Sequence, residues 1–198
     1  MIRDIKSGQS LTARQLARRL AAASHVLVGE QHDNPDHHAV QLWLLQALTD
    51  YRPQGSLLLE MLTSSQQASV DGLQAGMRAS SYPADLAAAL NWRPAWDWLM
   101  FGPILRFALA QPYRVLAAGL DPGHGVTVPE HMTRCVLAAP VPTMLFAEAG
   151  WVRKATGLPV LMASAGPGIQ PVVLMLARVG DHIAPDTADY VWYCAAHP

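Results

Sequence analysis

Hydrophobic positions along the chain fall into short unbroken runs and into stretches of helical spacing, and together they predict strands interleaved with helices. Val26 to Val28 is a short apolar run ended by Gly29 and reads as a buried strand. Ser56-Leu-Leu-Leu-Glu60, Tyr113 to Ala118 and Thr143 to Ala147 read the same way. The tail adds an apolar run from Pro171 to Val179 and a last short strand from Asp189 to Tyr193. Between these lie helical patterns. Ser10 to Ala23 carries Leu11, Leu16 and Leu20 near helical spacing, with arginines opposite. Asn34-Pro35 is a start signal, a capping asparagine before a proline at the first helical position, for a helix to about Asp50. Further helices are expected from Thr63, broken near Gly76, over Pro83 to Leu90, from Pro103 to Gln111 and from Pro129 to Leu137.

Strands alternating with helices give an α/β fold: a central, mostly parallel sheet with helices on both faces. Right-handed crossovers bring the strand ends to one edge, where open α/β proteins place their ligands. The 198 residues suffice for one core, and no repeat or linker divides residues 1–198, so a single domain is expected.

Composition narrows the function classes. Hydrophobic residues make up 51% of the chain and charged ones 15%, which argues against disorder. A net charge of −1 with no basic run argues against nucleic acid as a partner. No apolar run reaches the roughly 18 residues that cross a bilayer, so no transmembrane segment is expected. Met1 to Lys6 lacks the apolar stretch of a signal peptide, which points to the cytoplasm. Cys135 and Cys194 have no metal or redox spacing and read as small buried apolar residues.

Candidate chemistry gathers in His25 to His38. Glu30 and His32 follow the first strand, and His37 and His38 open the next helix. The predicted edge collects Glu30, His32, Glu60, Asp121 and Glu148. Imidazole and carboxylate are ordinary ligands of zinc, manganese and iron, and clustered buried carboxylates need a cation or donors beside them. Glu30, His32, His38 and Glu60 are therefore the expected metal-ligand set. His37 points roughly 100° away from His38 on a helix and is left out. For any one of these histidines alone, the plainer role is to cap a helix or bond a backbone carbonyl. Arg93, Trp96, Asp97 and Trp98 form an aromatic-rich stretch that reads first as core, and Arg153 follows a strand end within reach of an anionic group. No phosphate-binding loop, dinucleotide turn or nucleophile-elbow serine is present.

Gly29-Glu-Gln-His-Asp-Asn-Pro-Asp-His-His38, Leu59-Glu-Met61, Trp92 to Trp98 and Ala149-Gly-Trp-Val-Arg153 resemble the ChaN family of haem-binding iron-uptake lipoproteins, within the Tiki superfamily. The resemblance runs from Ile2 to about Asp121 and from about Pro142 to Tyr193. It implies a ChaN-like core, haem as the cofactor, a homodimer and lipid anchorage in the bacterial cell envelope. It further implies a tyrosine on the iron and basic groups on the propionates. Trp92, Trp96, Trp98 and Trp151 are then candidate walls, and Arg93 and Arg153 candidate propionate partners. The family's helical insert is reduced to Asp121 to Ala139, and no tyrosine lies between Tyr113 and Tyr190, so His124 or His131 stands as substitute ligand. The superfamily also implies an alternative, a metal-dependent hydrolase. There Glu30 or Glu60 would be the general base on a metal-bound water, with His32 and His38 as ligands. The family's Gly-His-Val-Arg is Gly150-Trp151-Val152-Arg153 here, which removes one polar group from such a site.

Overall fold

A computed structural model of the chain describes residues 1–123, 125–166 and 168–195. Six parallel strands form the body of the sheet: β3 (His25–Glu30), β4 (Ser56–Thr63), β5 (Arg114–Gly119), β6 (Thr143–Glu148), β7 (Val172–Arg178) and β8 (Tyr190–Cys194). Two short strands, β1 (Ile2–Asp4) and β2 (Ser10–Leu11), extend it antiparallel at one side, giving the order β2-β1-β8-β7-β3-β6-β4-β5. The mostly parallel sheet with flanking helices is the architecture that the alternating pattern implies.

Strand side chains alternate between faces, so each central strand feeds two cores. Val26, Val28, Leu57, Leu59 and Phe146 point to one, with Leu16 of α1 (Ala13–Ala21), Leu44 of α2 (Pro35–Leu48), Val70 of α3 (Gln67–Arg78) and Ile104 of α5 (Trp98–Leu109). Leu27, Leu58, Leu145 and Val173 point to the other, with Met132 of α6 (Val128–Ala138), Val152 of α7 (Ala149–Val152) and Met162 of α8 (Leu158–Ala165). The remaining helix, α4 (Leu86–Ala89), is one turn leading into the tryptophan-rich segment before α5.

Several elements depart from the sequence pattern. Ser10 and Leu11 belong to β2, pairing with Arg3 and Ile2, and the first helix starts only after Thr12, which forms a capping box with Gln15. Strand β3 runs on through Gly29 to Glu30. Strand β4 continues three residues past Glu60, which is therefore not its last residue. Helix α3 passes through Gly76 unbroken. Pro103 lies inside α5 rather than at its start: Asp97 is the cap, accepting from the Leu99 amide at 2.9 Å. The aspartate out-competes the proline as a start signal because it supplies the acceptor that an open helix end needs.

Two close approaches shape the carboxyl edge. A Cβ on Gly29 would lie 2.5 Å from Val152 Cγ2 and 2.8 Å from Met175 Sδ, so a bare backbone lets α7 sit against β3. A Cβ on Gly119 would lie 2.1 Å from the Glu60 carbonyl oxygen, where the pairing of β4 with β5 shifts register between Leu59 and Thr63.

Candidate functional site

Glu30 ends β3 and lies opposite Glu148, which ends β6. The Glu30 side chain is completely buried. His32 comes two residues later, where the chain has left the sheet, and its Nδ1 lies 2.5 Å from Glu30 Oε1. The other oxygen, Oε2, makes no hydrogen bond; His38 Nε2 is 3.8 Å away, within ionic reach only. Burial pushes the His32 imidazole down, but the bond to Glu30 and the charges of Glu30, Glu60 and Glu148 outweigh it, and the net shift is upward. The pair therefore favours imidazolium against carboxylate.

His38 sits in the first turn of α2, where Asn34 caps the helix by accepting from the Asp36 amide at 3.0 Å. Its Nε2 donates to the His32 carbonyl at 3.0 Å, tying the strand-to-helix turn back on itself. Its Nδ1 lies 3.1 Å from Gln41 Oε1. His37 points elsewhere, as helical geometry requires. Its Nδ1 accepts from the Gln31 amide at 3.0 Å, and burial, reinforced by the charges of His38 and Arg178, pushes its pKa down to about 4.

Glu60 is bound from the opposite side. Its Oε2 accepts from the Glu148 amide at 2.6 Å and its Oε1 from the Trp151 indole at 2.9 Å. Burial raises its pKa; these donors and the charge of His32 oppose that rise, while Glu30 adds to it. Asp121 is engaged apart from this group, accepting from the amide and hydroxyl of Ser65, each at 2.8 Å.

An aromatic cap covers the edge. Trp96 meets His32 edge-on with ring centres 4.5 Å apart, and Phe101 meets His38 at 4.3 Å. Trp92 donates to the Trp96 carbonyl at 2.8 Å and stacks edge-on with Trp98 at 5.1 Å. The tryptophans that read as core thus form a half-buried lid over the histidines.

The expected metal ligands come near one another, yet each is already engaged: Glu30 with His32, His38 with main chain and Gln41, Glu60 with Glu148 and Trp151. Among the described residues no three His, Cys, Asp or Glu side chains are placed to hold one metal ion. The expected cofactor residues divide between two faces. Trp96 packs with the first core and Arg93 is exposed beside it, whereas Trp151 packs with the second and Arg153 is exposed beyond it. His131 is a half-buried residue of α6, 3.5 Å from Cys135 Sγ, and His124 lies outside the described residues. One residue escaped the sequence reading: Tyr82, between α3 and α4, is 64% exposed and has no partner among the described residues. Only its position in a Ser-Ser-Tyr-Pro stretch, free of any hydrophobic period, signalled this.

Fold and edge define an α/β protein with a carboxylate–imidazole network under an aromatic lid at the carboxyl ends of its strands. The chain belongs to the family described as haem-binding uptake, Tiki superfamily, ChaN, whose model matches residues 16–131. Its structure is similar to that of ChaN of Campylobacter jejuni, solved in a study of cofacial haem binding, with a TM-score of 0.85 over 96% of this chain and 94% of that one at 19% identity. It is also similar to RRSP, a MARTX toxin effector domain from Vibrio vulnificus CMCP6, with a TM-score of 0.51 over 75% of this chain at 14% identity. The chain spans 32% of that toxin chain. At such identities the likeness is one of fold. No curated protein matches the sequence.

Proposed function

We propose that this protein binds haem and serves in its uptake, with the haem on the outer surface of the segment that runs from the end of α3 through the first turn of α5. Family membership over residues 16–131 carries this reading. Haem needs an apolar platform, an axial ligand and cations for its propionates. The segment offers each: Leu99 is 83% exposed, Trp96 and Trp98 are half-buried beside it, and Arg93 is an exposed guanidinium. Tyr82 belongs to the same segment and, 64% exposed, presents its phenol to solvent, and it is the tyrosine we assign to the iron. Tyr51 is 38% exposed but follows α2, outside this segment; Tyr113 is buried, and Tyr190 and Tyr193 are half-buried strand residues. Bound haem would supply the iron to which the Tyr82 oxygen coordinates. The Glu30–His32–Glu60 network then lies beneath the platform and orders the lid rather than touching the iron.

A planar ligand seated on an exposed apolar surface leaves its second face open, and a second copy of the chain is the partner that would cover it. In this reading the protein works as a homodimer in the bacterial envelope. Titration of the purified protein with haemin should give a shifted Soret band that survives moderate salt, and light scattering should show dimer formation as haemin is added. Tyr82→Phe should abolish or displace that band, while His131→Ala leaves it unchanged. Haemin association that vanishes in moderate salt, with no Soret shift, would sink the proposal.

A further inference from the structure

On the side of the sheet away from β1 and β2, β5 is the outermost strand, and the peptide groups along its free flank have no neighbouring strand to pair with. Side chains of α3 take them instead. Gln74 donates its amide NH2 to the Tyr113 carbonyl at 2.7 Å and accepts from the Val115 amide at 3.3 Å. Gln67 donates to the Val115 carbonyl at 3.1 Å and accepts from the Ala117 amide at 2.7 Å. Arg78 continues the row, giving Nη2 to the Tyr113 carbonyl at 2.7 Å and Nε to the Gln111 carbonyl at 2.8 Å. Each carboxamide thus meets a carbonyl and the amide two residues further on. A residue of a neighbouring parallel strand would meet β5 in the same pattern.

Helical spacing makes this possible. Gln67, Asp71, Gln74 and Arg78 recur after four, three and four residues and so share one face of α3, while Val70 and Met77 bury another face in the core. The polar face is turned to the strand rather than to water: Gln74 is buried and Gln67 half-buried. Asp71 steadies Gln67 by accepting from its NH2 at 2.9 Å. The backbone dictates which end of each carboxamide is which, because a carbonyl only accepts and an amide only donates. Neither a hydrocarbon side chain nor a carboxylate could serve both groups. On the opposite side the outermost strand, β2, has two residues and leads straight into the cap of α1, so it offers an incoming strand little to pair with. The long flank is the guarded one.

We propose that α3 is an edge guard: Gln67 and Gln74 hold the hydrogen-bonding places of a further parallel strand, and losing them opens β5 to strand pairing with a second copy of the chain. Strand β5 runs from Arg114 to Gly119, an ordinary length for a strand that accepts a neighbour. Val115, Ala117 and Ala118 are apolar and carry no charge that would repel one. A second copy is the occupant because each molecule brings the same flank, and two such flanks pair antiparallel across a two-fold axis, each satisfying the other's amides and carbonyls. Nothing in this assignment rests on haem binding, and the haem-linked homodimer proposed above uses a different surface.

The test uses the full chain without haem, followed by amide hydrogen exchange and sedimentation velocity. In wild type the Val115 and Ala117 amides should exchange slowly, as amides inside a ladder do. In Gln67→Ala/Gln74→Ala both should exchange about tenfold faster or more in dilute solution. As its concentration rises, that variant should form dimers and regain protection at the same two amides, while wild type sediments unchanged. Gln67→Lys/Gln74→Ala loses the same carboxamides but sets an ammonium on the flank, which opposes strand pairing. It should stay monomeric, even though the added cation brings the net charge of −1 nearer to neutrality and so favours non-specific association. Fast exchange of Val115 and Ala117 in wild type would overturn the proposal. So would an alanine pair that exchanges faster yet sediments as wild type does, or equal association of the alanine and lysine variants, which would mark general unfolding as the cause. Gln67→Ala alone, at the half-buried position, decides the matter if the double variant does not fold: Ala117 should exchange about tenfold faster while Val115, still held by Gln74, does not, and an unchanged Ala117 overturns the guard.

Discussion

His32 Nδ1 lies 2.5 Å from Glu30 Oε1, and this pair joins the last residue of the central strand to the turn that follows it. Glu30 has no exposure at all, whereas the His32 side chain is one-third exposed, so the solvent-facing partner neutralises the buried one. Losing the histidine leaves a buried carboxylate with only His38 nearby, at 3.8 Å. His32→Ala should therefore cost about 2–4 kcal/mol, at the lower part of the range for broken buried pairs because His32 is partly wet. Glu30→Gln keeps a neutral group able to hydrogen-bond and should cost less. Urea unfolding of the two variants checks the order; His32→Ala within about 0.5 kcal/mol of wild type would contradict it.

His37 gives the fold a pH dependence of definite sign. Its pKa is about 4 in the fold against 6.5 when unfolded. Above pH 6.5 both states are neutral and its contribution to stability is fully present. Between 6.5 and about 4 the unfolded chain takes up a proton that the folded chain refuses, so stability falls with pH, by up to about 3 kcal/mol in all. His32 is raised and acts in the opposite direction, so the test is a difference between two proteins. His37→Asn keeps an acceptor for the Gln31 amide and removes the titration. Its stability should decline less than that of wild type between pH 6.5 and 4.5, as followed by thermal unfolding across that range.

Trp151 stabilises the ionised form of Glu60 by donating at 2.9 Å. Burial already raises the Glu60 pKa, and the indole opposes that rise. Trp151→Phe should push Glu60 further up while costing about 1–2 kcal/mol for the lost donor. A carboxyl ¹³C titration of Glu60 in both proteins measures the shift, and a downward movement in the variant would be the wrong sign.

The sequence carried the architecture better than the site. Short apolar runs located five of the parallel strands and the stretch of the sixth, because strands covered by helices on both faces are apolar throughout, and the 3.6-residue period located most helices. β1 and β2 escaped because Ile2–Asp4 and Ser10–Leu11 are too short to show a pattern, and they are held by pairing, β1 with β8 and β2 with β1. The start of α5 was misread because Pro103 is a louder signal than Asp97. At the edge, Glu30 and His32 lie in contact and His38 is 3.8 Å from Glu30, because the turn after β3 leads directly into α2. What each side chain bonds to was not legible. Trp151 reaching Glu60 and Trp96 meeting His32 depend on chain segments far apart in sequence, and residue type alone does not say whether a carboxylate faces a guest or a neighbour.

Gly29 and Gly119 both permit a close approach, but of different kinds, and this separates their substitutions. A methyl group on Gly29 would press on the side chains of Val152 and Met175, at 2.5 and 2.8 Å, which can shift. One on Gly119 would press on the Glu60 carbonyl oxygen at 2.1 Å, which is fixed by the sheet. Gly29→Ala should cost about 1–3 kcal/mol as overpacking. Trimming the obstacle with Val152→Ala in the same chain should recover part of that, leaving the double variant more stable than the two separate losses predict. Gly119→Ala should cost more, and no single side-chain reduction should rescue it, because the clash is with backbone. A denaturant series over the three single variants and the double variant measures these terms; strict additivity of Gly29→Ala and Val152→Ala would show that α7 does not rest on β3 in the way the contact implies.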